Sequence, residues 1–168
     1  MINKISMILG IMLLIVSQSG CGKIGKGLEL VLGIDQLDYK KGEDITATLY
    51  LSNPQQDTIL VNKRMSVYFL ELKYYGEVAF IITAPSGREV SYGVRDSGSY
   101  PEEDDFSDLG PEETISRSYI LNRYYYFFNE VGQYSVQAVY HNDSDPGDGR
   151  IAWKGEIRSD VVHFTINP

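Results

Sequence analysis

Cysteine occurs once in 168 residues, so no intrachain disulfide can staple this chain, and its stability has to come from packing. Histidine occurs only as His141 and His163, and no His-rich metal motif is formed. A Gly-x-Ser-x-Gly elbow and a Gly-rich phosphate loop are missing too, which leaves little footing for nucleophilic or phosphoryl-transfer chemistry. Basic residues are in deficit: 15 Lys and Arg face 23 Asp and Glu, and the formal charge of -8 sets up a field that repels nucleic acid. The ten apolar residues 7–16 would rise only about 15 Å as a helix, half of a hydrocarbon core of about 30 Å, and nothing later approaches a membrane span. No segment carries a sustained 3.6-residue apolar stripe with caps, so long helices are excluded, and neither an internal repeat nor a second-domain boundary is visible.

What is present favours strands. The chain is 43% hydrophobic, ample for one core, and its 13 tyrosines and 16 glycines, with many Val, Ile and Thr, tilt it toward strands and turns.

The N-terminus reads as a targeting segment, with Lys4 ahead of the apolar run and the stretch "VSQSGCGK" behind it. This run resembles the signal peptide of bacterial lipoproteins, with small Ser19 and Gly20 before Cys21 and Gln18 standing where such motifs usually carry Leu. The resemblance implies that residues 1–20 are removed and that Cys21 is lipidated and becomes the N-terminus, leaving no free thiol. It also implies a cell-envelope address, at the outer membrane or cell surface. "GKIGKG" follows with no apolar period and suits a flexible tether, residues 21–27, ahead of a folded domain at 28–168.

Beyond the tether the apolar period is two. Leu28, Leu30 and Leu32 alternate with polar or outward positions, as do Ile45, Ala47, Leu49 and Leu51, and the turn signals "YKKGED" and "SNPQQD" bracket the second run. Further strands are expected at 58–62, 66–72, 78–83, 88–94, 114–121, 133–141 and 161–166, with "APSG" a turn after the third of these. Seven to nine short strands in about 140 residues, each with one apolar face, predict an all-β chain folded as an antiparallel sandwich.

Within "EVGQYSVQAVY", Gly132 precedes Tyr134 and then Val136, Ala138 and Tyr140 alternate. This resembles the approach to the penultimate strand of immunoglobulin-like sandwiches, where a tyrosine hydroxyl bonds back to nearby backbone and fixes a corner. The resemblance implies an immunoglobulin-like scaffold with Gly132 and Tyr134 as its markers, and no particular activity. Val136 stands where antibody domains place a cysteine, and Trp153 follows this strand instead of preceding it.

Three constellations remain as candidate sites. The rings of Tyr124, Tyr125, Tyr126, Phe127 and Phe128 lie between a strand and the Gly132 corner, where they either plug the end of the sandwich or offer two or three faces to a ligand. Trp153 either covers the sandwich edge or serves as a contact residue. Asp104, Asp105 and Asp108 in the acidic stretch 96–113, and Asp143, Asp145 and Asp148 in "HNDSDPGDGR", could in principle hold Ca²⁺. The second set departs from an EF-hand loop, with Gly147 fifth, Asp148 sixth and Lys154 where the bidentate glutamate belongs, so solvated loops are the favoured account of both and no cofactor is expected. The functional expectation is a non-catalytic, lipid-anchored envelope domain that meets an envelope protein or a glycan. The alternatives are a protease inhibitor or carrier acting through the 84–113 connection, and then a small hydrolase using loop carboxylates.

Overall fold

Strict alternation along these segments means that each strand presents one apolar face, and the chain buries those faces by stacking sheets. The computed structural model describes residues 27–67, 76–90, 99–124 and 127–168, the side chains of Arg123 and Tyr124 excepted, and among them lie ten strands. They are β1 (Glu29–Ile34), β2 (Asp38–Lys40), β3 (Thr46–Ser52), β4 (Ile59–Asn62), β5 (Val78–Thr83), β6 (Phe106–Leu109), β7 (Thr114–Ile120), β8 (Gly132–Asn142), β9 (Gly155–Arg158) and β10 (Val162–Asn167). Among the described residues, helix is confined to one turn, Leu121–Tyr124, and one 3-10 turn, Glu103–Asp105. The chain is all-β, with antiparallel sheets stacked as a sandwich.

One sheet has the order β1-β3-β7; a second runs β2-β10-β8-β5, and β9 continues the β10 edge of β8 beyond a break at Ser159, while β4 and β6 form a separate two-stranded sheet. The Ser159 hydroxyl accepts from Ala138 N at 3.0 Å and its own N–H donates to Ala138 O at 2.9 Å, so the break keeps its backbone bonds. After Ile34 the chain leaves β3 and crosses to the other sheet, where β2 runs parallel to β10. Leu30, Leu32, Ala47, Leu49, Leu51 and Tyr119 from the first sheet pack against Phe80, Ile82, Tyr134, Val136, Ala138, Tyr140 and Phe164 from the second in one core. Phe80 meets Tyr119 edge to face across the layers, 5.2 Å between ring centroids. Each large apolar side chain so buried contributes about 1.5–3 kcal/mol.

Strands were expected at 66–72 and 88–94, but their described residues make only isolated bridges, Val67 to Val78 and Glu89 to Thr83; the rest of both segments lies outside the described residues. The acidic stretch read as a solvated loop contains β6 instead, paired antiparallel with β4. Its two apolar residues, Phe106 and Leu109, are buried, and two apolar anchors outweigh the one carboxylate between them, Asp108, because it stays in water.

The end of the sandwich where the described chain begins is closed by a buried polar network. Glu77, 3% exposed, accepts from Arg64 Nη2 at 2.5 Å and Nε at 3.2 Å, from Asn62 Nδ2 at 3.1 Å and from Ser66 N at 2.9 Å. Arg64 in turn donates to Ser99 O at 2.7 Å, and its own carbonyl accepts from Arg117. Between Arg64 and Ser66, Met65 is buried at φ +47°, a conformation costing about 1–3 kcal/mol that is held by Tyr119 Oη donating to Met65 O at 2.7 Å.

Candidate binding end

At the opposite end the chain leaves β7 through the turn Leu121–Tyr124. Leu121 is fully buried and donates its N–H to Ile45 O at 2.9 Å. Asn122 staples the turn to the 43–45 segment, accepting from Ile45 N at 2.9 Å and donating to Glu43 O at 2.8 Å. Phe128 then turns inward. Its ring lies 5.3 Å from Tyr134 and 5.9 Å from Phe164, and Tyr134 stacks on Phe164 at 5.4 Å and 6°.

The corner expected at Gly132 and Tyr134 is formed: Tyr134 Oη donates to Glu130 O at 2.9 Å and accepts from Glu130 N at 3.0 Å. Gly132 is required twice over, since it sits at φ +130° and a Cβ there would stand 3.0 Å from the ring carbons of Pro85. Glu130 clamps the neighbouring turn, accepting from Ser86 N at 3.0 Å, Ser86 Oγ at 2.8 Å and Arg88 Nη2 at 2.8 Å. Hydrogen bonds from Arg88 and then Ser86 hold the Glu130 carboxyl below the usual carboxylate range.

On this clamped corner Phe127 stands 65% exposed, with a cleft on either side. One, about 170 Å³, is lined by Lys40, Glu43, Asn122, Asn129 and Ile166; the other, about 290 Å³, by Ala84, Arg88, Glu89, Asn129 and Glu130. An exposed apolar ring beside small clefts lined by both polar and apolar groups offers a face on which a sugar ring or a peptide side chain can stack. Of the five aromatic candidates, Phe128 is plug and Phe127 is surface; the side chains of Tyr124, Tyr125 and Tyr126 lie outside the described residues.

Trp153 is not part of this end. It is half-buried on Tyr140, 5.8 Å between centroids, and its ring lies under Gly27 at the other end of β8. The two acidic stretches also meet at that end, around Arg150. Asp148 accepts from Arg150 N at 2.9 Å and Nε at 2.5 Å, and the charges of Asp108 and Glu103 further raise the Arg150 pKa. Asp145 accepts from Lys154 Nζ at 2.5 Å and Ala152 N at 2.9 Å, which lowers its carboxyl below the ordinary range, Lys154 being the larger cause. Asp105 accepts from Glu102 N and Asp143 from Ser144 Oγ, while Asp104 and Asp108 are exposed. Among the described residues, no three such side chains converge on a position for a metal ion. His163 is exposed on the outer face of β10, its side chain opposite in direction to buried Phe164.

Sequence reasoning missed Asn62, Arg64 and Glu77, which carry no local signature, and missed the clamp of Glu130 on Ser86 and Arg88. Among the described residues, no helix is long and apolar enough to cross a membrane. No family model matches the chain, and no curated protein matches its sequence.

Proposed function

We propose that this chain is a lipid-anchored protein of the bacterial cell envelope whose immunoglobulin-like sandwich binds a partner without catalysing its conversion. The observation that carries the reading is the placement of the two ends. Gly27, where the described chain begins, lies against Ile59 and Trp153, near the end of β8 at Asn142. Phe127 and its clefts lie near the start of β8 at Gly132. Ten strand residues separate those ends, about 30 Å. Cys21 is six residues from Gly27, a reach of at most about 20 Å, so an anchor at Cys21 would hold the Trp153 end near lipid and turn the Phe127 clefts outward. The immunoglobulin-like reading is supported by the Tyr134 corner and by a first strand that divides between two sheets, pairing β3 and then running parallel to β10.

Two measurements test this. Cys21→Ala should move the protein from membrane to soluble fractions, and unchanged membrane association overturns the anchor. Pull-down from envelope extract should recover a partner with the wild-type domain and lose it with Phe127→Ala; equal recovery by both overturns the assignment of the binding end. A second reading, inhibition of an extracellular protease by the 84–113 connection, is favoured by Tyr100, 67% exposed beside the pinned Ser99. It predicts that Tyr100→Ala relieves inhibition of a secreted protease.

A further inference from the structure

The outer face of the β1-β3-β7 sheet differs from the rest of the surface. Register and burial place eleven residues on it: Glu29, Val31 and Gly33 of β1, Thr46, Thr48, Tyr50 and Ser52 of β3, and Thr114, Ser116, Ser118 and Ile120 of β7. One of the eleven is charged at neutral pH, Glu29 at a corner, in a chain that is 23% charged. Just past the opposite corner, Asp35 spends its carboxylate on Thr46 N and the Tyr39 hydroxyl. The outward positions of the other sheet carry Asp38, Lys40, Glu156 and Arg158 together with His141 and His163, so freedom from charge is particular to this face.

Six of the eleven are Ser or Thr, and four of these stand in cross-strand pairs. Thr48 Oγ1 and Ser118 Oγ are 2.8 Å apart, Ser52 Oγ and Thr114 Oγ1 2.9 Å. Each pair is fixed by one hydrogen bond and keeps further donor and acceptor capacity for solvent or ligand. At the centre Tyr50 is 41% exposed opposite Val31, and its ring edge lies over Gly33, 3.7 Å from where a Cβ would sit, so Gly33 contributes no side chain beside that ring.

From these observations we propose that this face binds a neutral polysaccharide strand, with Tyr50 as the apolar platform and the Ser and Thr rows as hydroxyl partners. An uncharged, hydroxylated surface complements an uncharged, hydroxylated ligand, and it gives a polyanion or polycation nothing to pair with. Its area also selects the occupant. Three strands about 4.8 Å apart and some 20 Å long offer on the order of 300 Å², well short of the roughly 800 Å² per partner of a stable protein interface, but wide enough for one glycan chain.

Affinity electrophoresis of the chain from Cys21 onward tests this, since every strand pairing described lies within 27–168. Native gels would contain dextran or soluble β-1,3-glucan as neutral probes and polygalacturonate as the anionic control. The proposal expects retardation by at least one neutral probe and none by polygalacturonate. Tyr50→Ala and Ser116→Lys, both at exposed positions, should each weaken it at least tenfold, while His163→Lys on the other sheet leaves it unchanged. Thermal melting of each variant establishes that the fold is kept. No retardation in either neutral gel, or retardation indifferent to both substitutions, overturns the proposal. So does concentration-dependent self-association in sedimentation that Ser116→Lys abolishes, because the face would then be occupied by a second copy.

Discussion

Replacing Glu77 by leucine removes a heavily used side chain at the Gly27 end of the sandwich. Its carboxylate takes four hydrogen bonds, two of them from Arg64, and the pair is secluded, with side-chain exposures of 12% for Arg64 and 4% for Glu77. Glu77→Leu would leave the guanidinium with Ser99 O as its remaining described partner and would orphan Ser66 N and one Asn62 amide proton. Breaking a buried ion pair from one side costs about 3–5 kcal/mol, because the surviving charge stays desolvated. At roughly 2–4 °C per kcal/mol for a domain of this size, the midpoint should fall by about 10 °C. Replacing both partners, Arg64→Met with Glu77→Leu, removes the stranded charge and should restore at least half of the loss. Urea denaturation with thermal melting of wild type, both single variants and the double variant measures the cycle. A Glu77→Leu loss below about 1 kcal/mol, or a double variant as unstable as the two single losses added, would refute the assignment of Arg64 and Glu77 as one interdependent unit.

Three further outcomes follow from particular contacts. Gly132→Ala should cost about 1–3 kcal/mol, read as a lower urea midpoint, because it forces a Cβ against Pro85 at a backbone angle that L residues rarely adopt. Burial first, and then nearby acidic groups, raise the phenols of Tyr39 and Tyr140 well above their ordinary value of 10.0. A raised folded-state value stabilises the fold below the ordinary value and loses that contribution above it, so these two phenolates should appear near 295 nm only with unfolding; full titration at pH 10–11 in the folded protein would contradict their packing. Asp145 is displaced the other way, so its contribution is present at neutral pH and lost as pH falls below the ordinary 3.8 through its lowered value. Lys154→Met should return the Asp145 titration toward 3.8, measurable by carboxylate NMR, and an unmoved titration would show that Lys154 is not its partner.

Much of the sandwich was legible because it is written in short-range alternation. Ala47, Leu49 and Leu51, and likewise Tyr134, Val136, Ala138 and Tyr140, announce their buried face with a period of two. The corner was legible for a similar reason: Tyr134 reaches Glu130, four residues back, so local sequence specifies it. β2, β6 and β9 were not legible, being three or four residues long with one or two apolar anchors each, and β6 sits among carboxylates. The Arg64–Glu77 pair was invisible because nothing in "NKRMS" or "YGEVA" shows that β5 begins beside the 62–66 segment. At the Gly132 end, composition gave the cluster of rings, but only tertiary packing decides that Phe128 points in and Phe127 out.

The proposed arrangement of ends is open to direct measurement, because Trp153 is the only tryptophan in the chain and lies against Gly27. Energy transfer from Trp153 to a dansyl-labelled lipid, in vesicles carrying the lipidated protein, should be efficient. The same measurement on the Trp153→Phe, Phe127→Trp variant should give much weaker transfer, since that ring would stand about 30 Å further along β8. Equal transfer from the two positions, stronger transfer from position 127, or a protein that does not float with the vesicles would contradict an anchored domain that holds its Phe127 clefts away from the membrane.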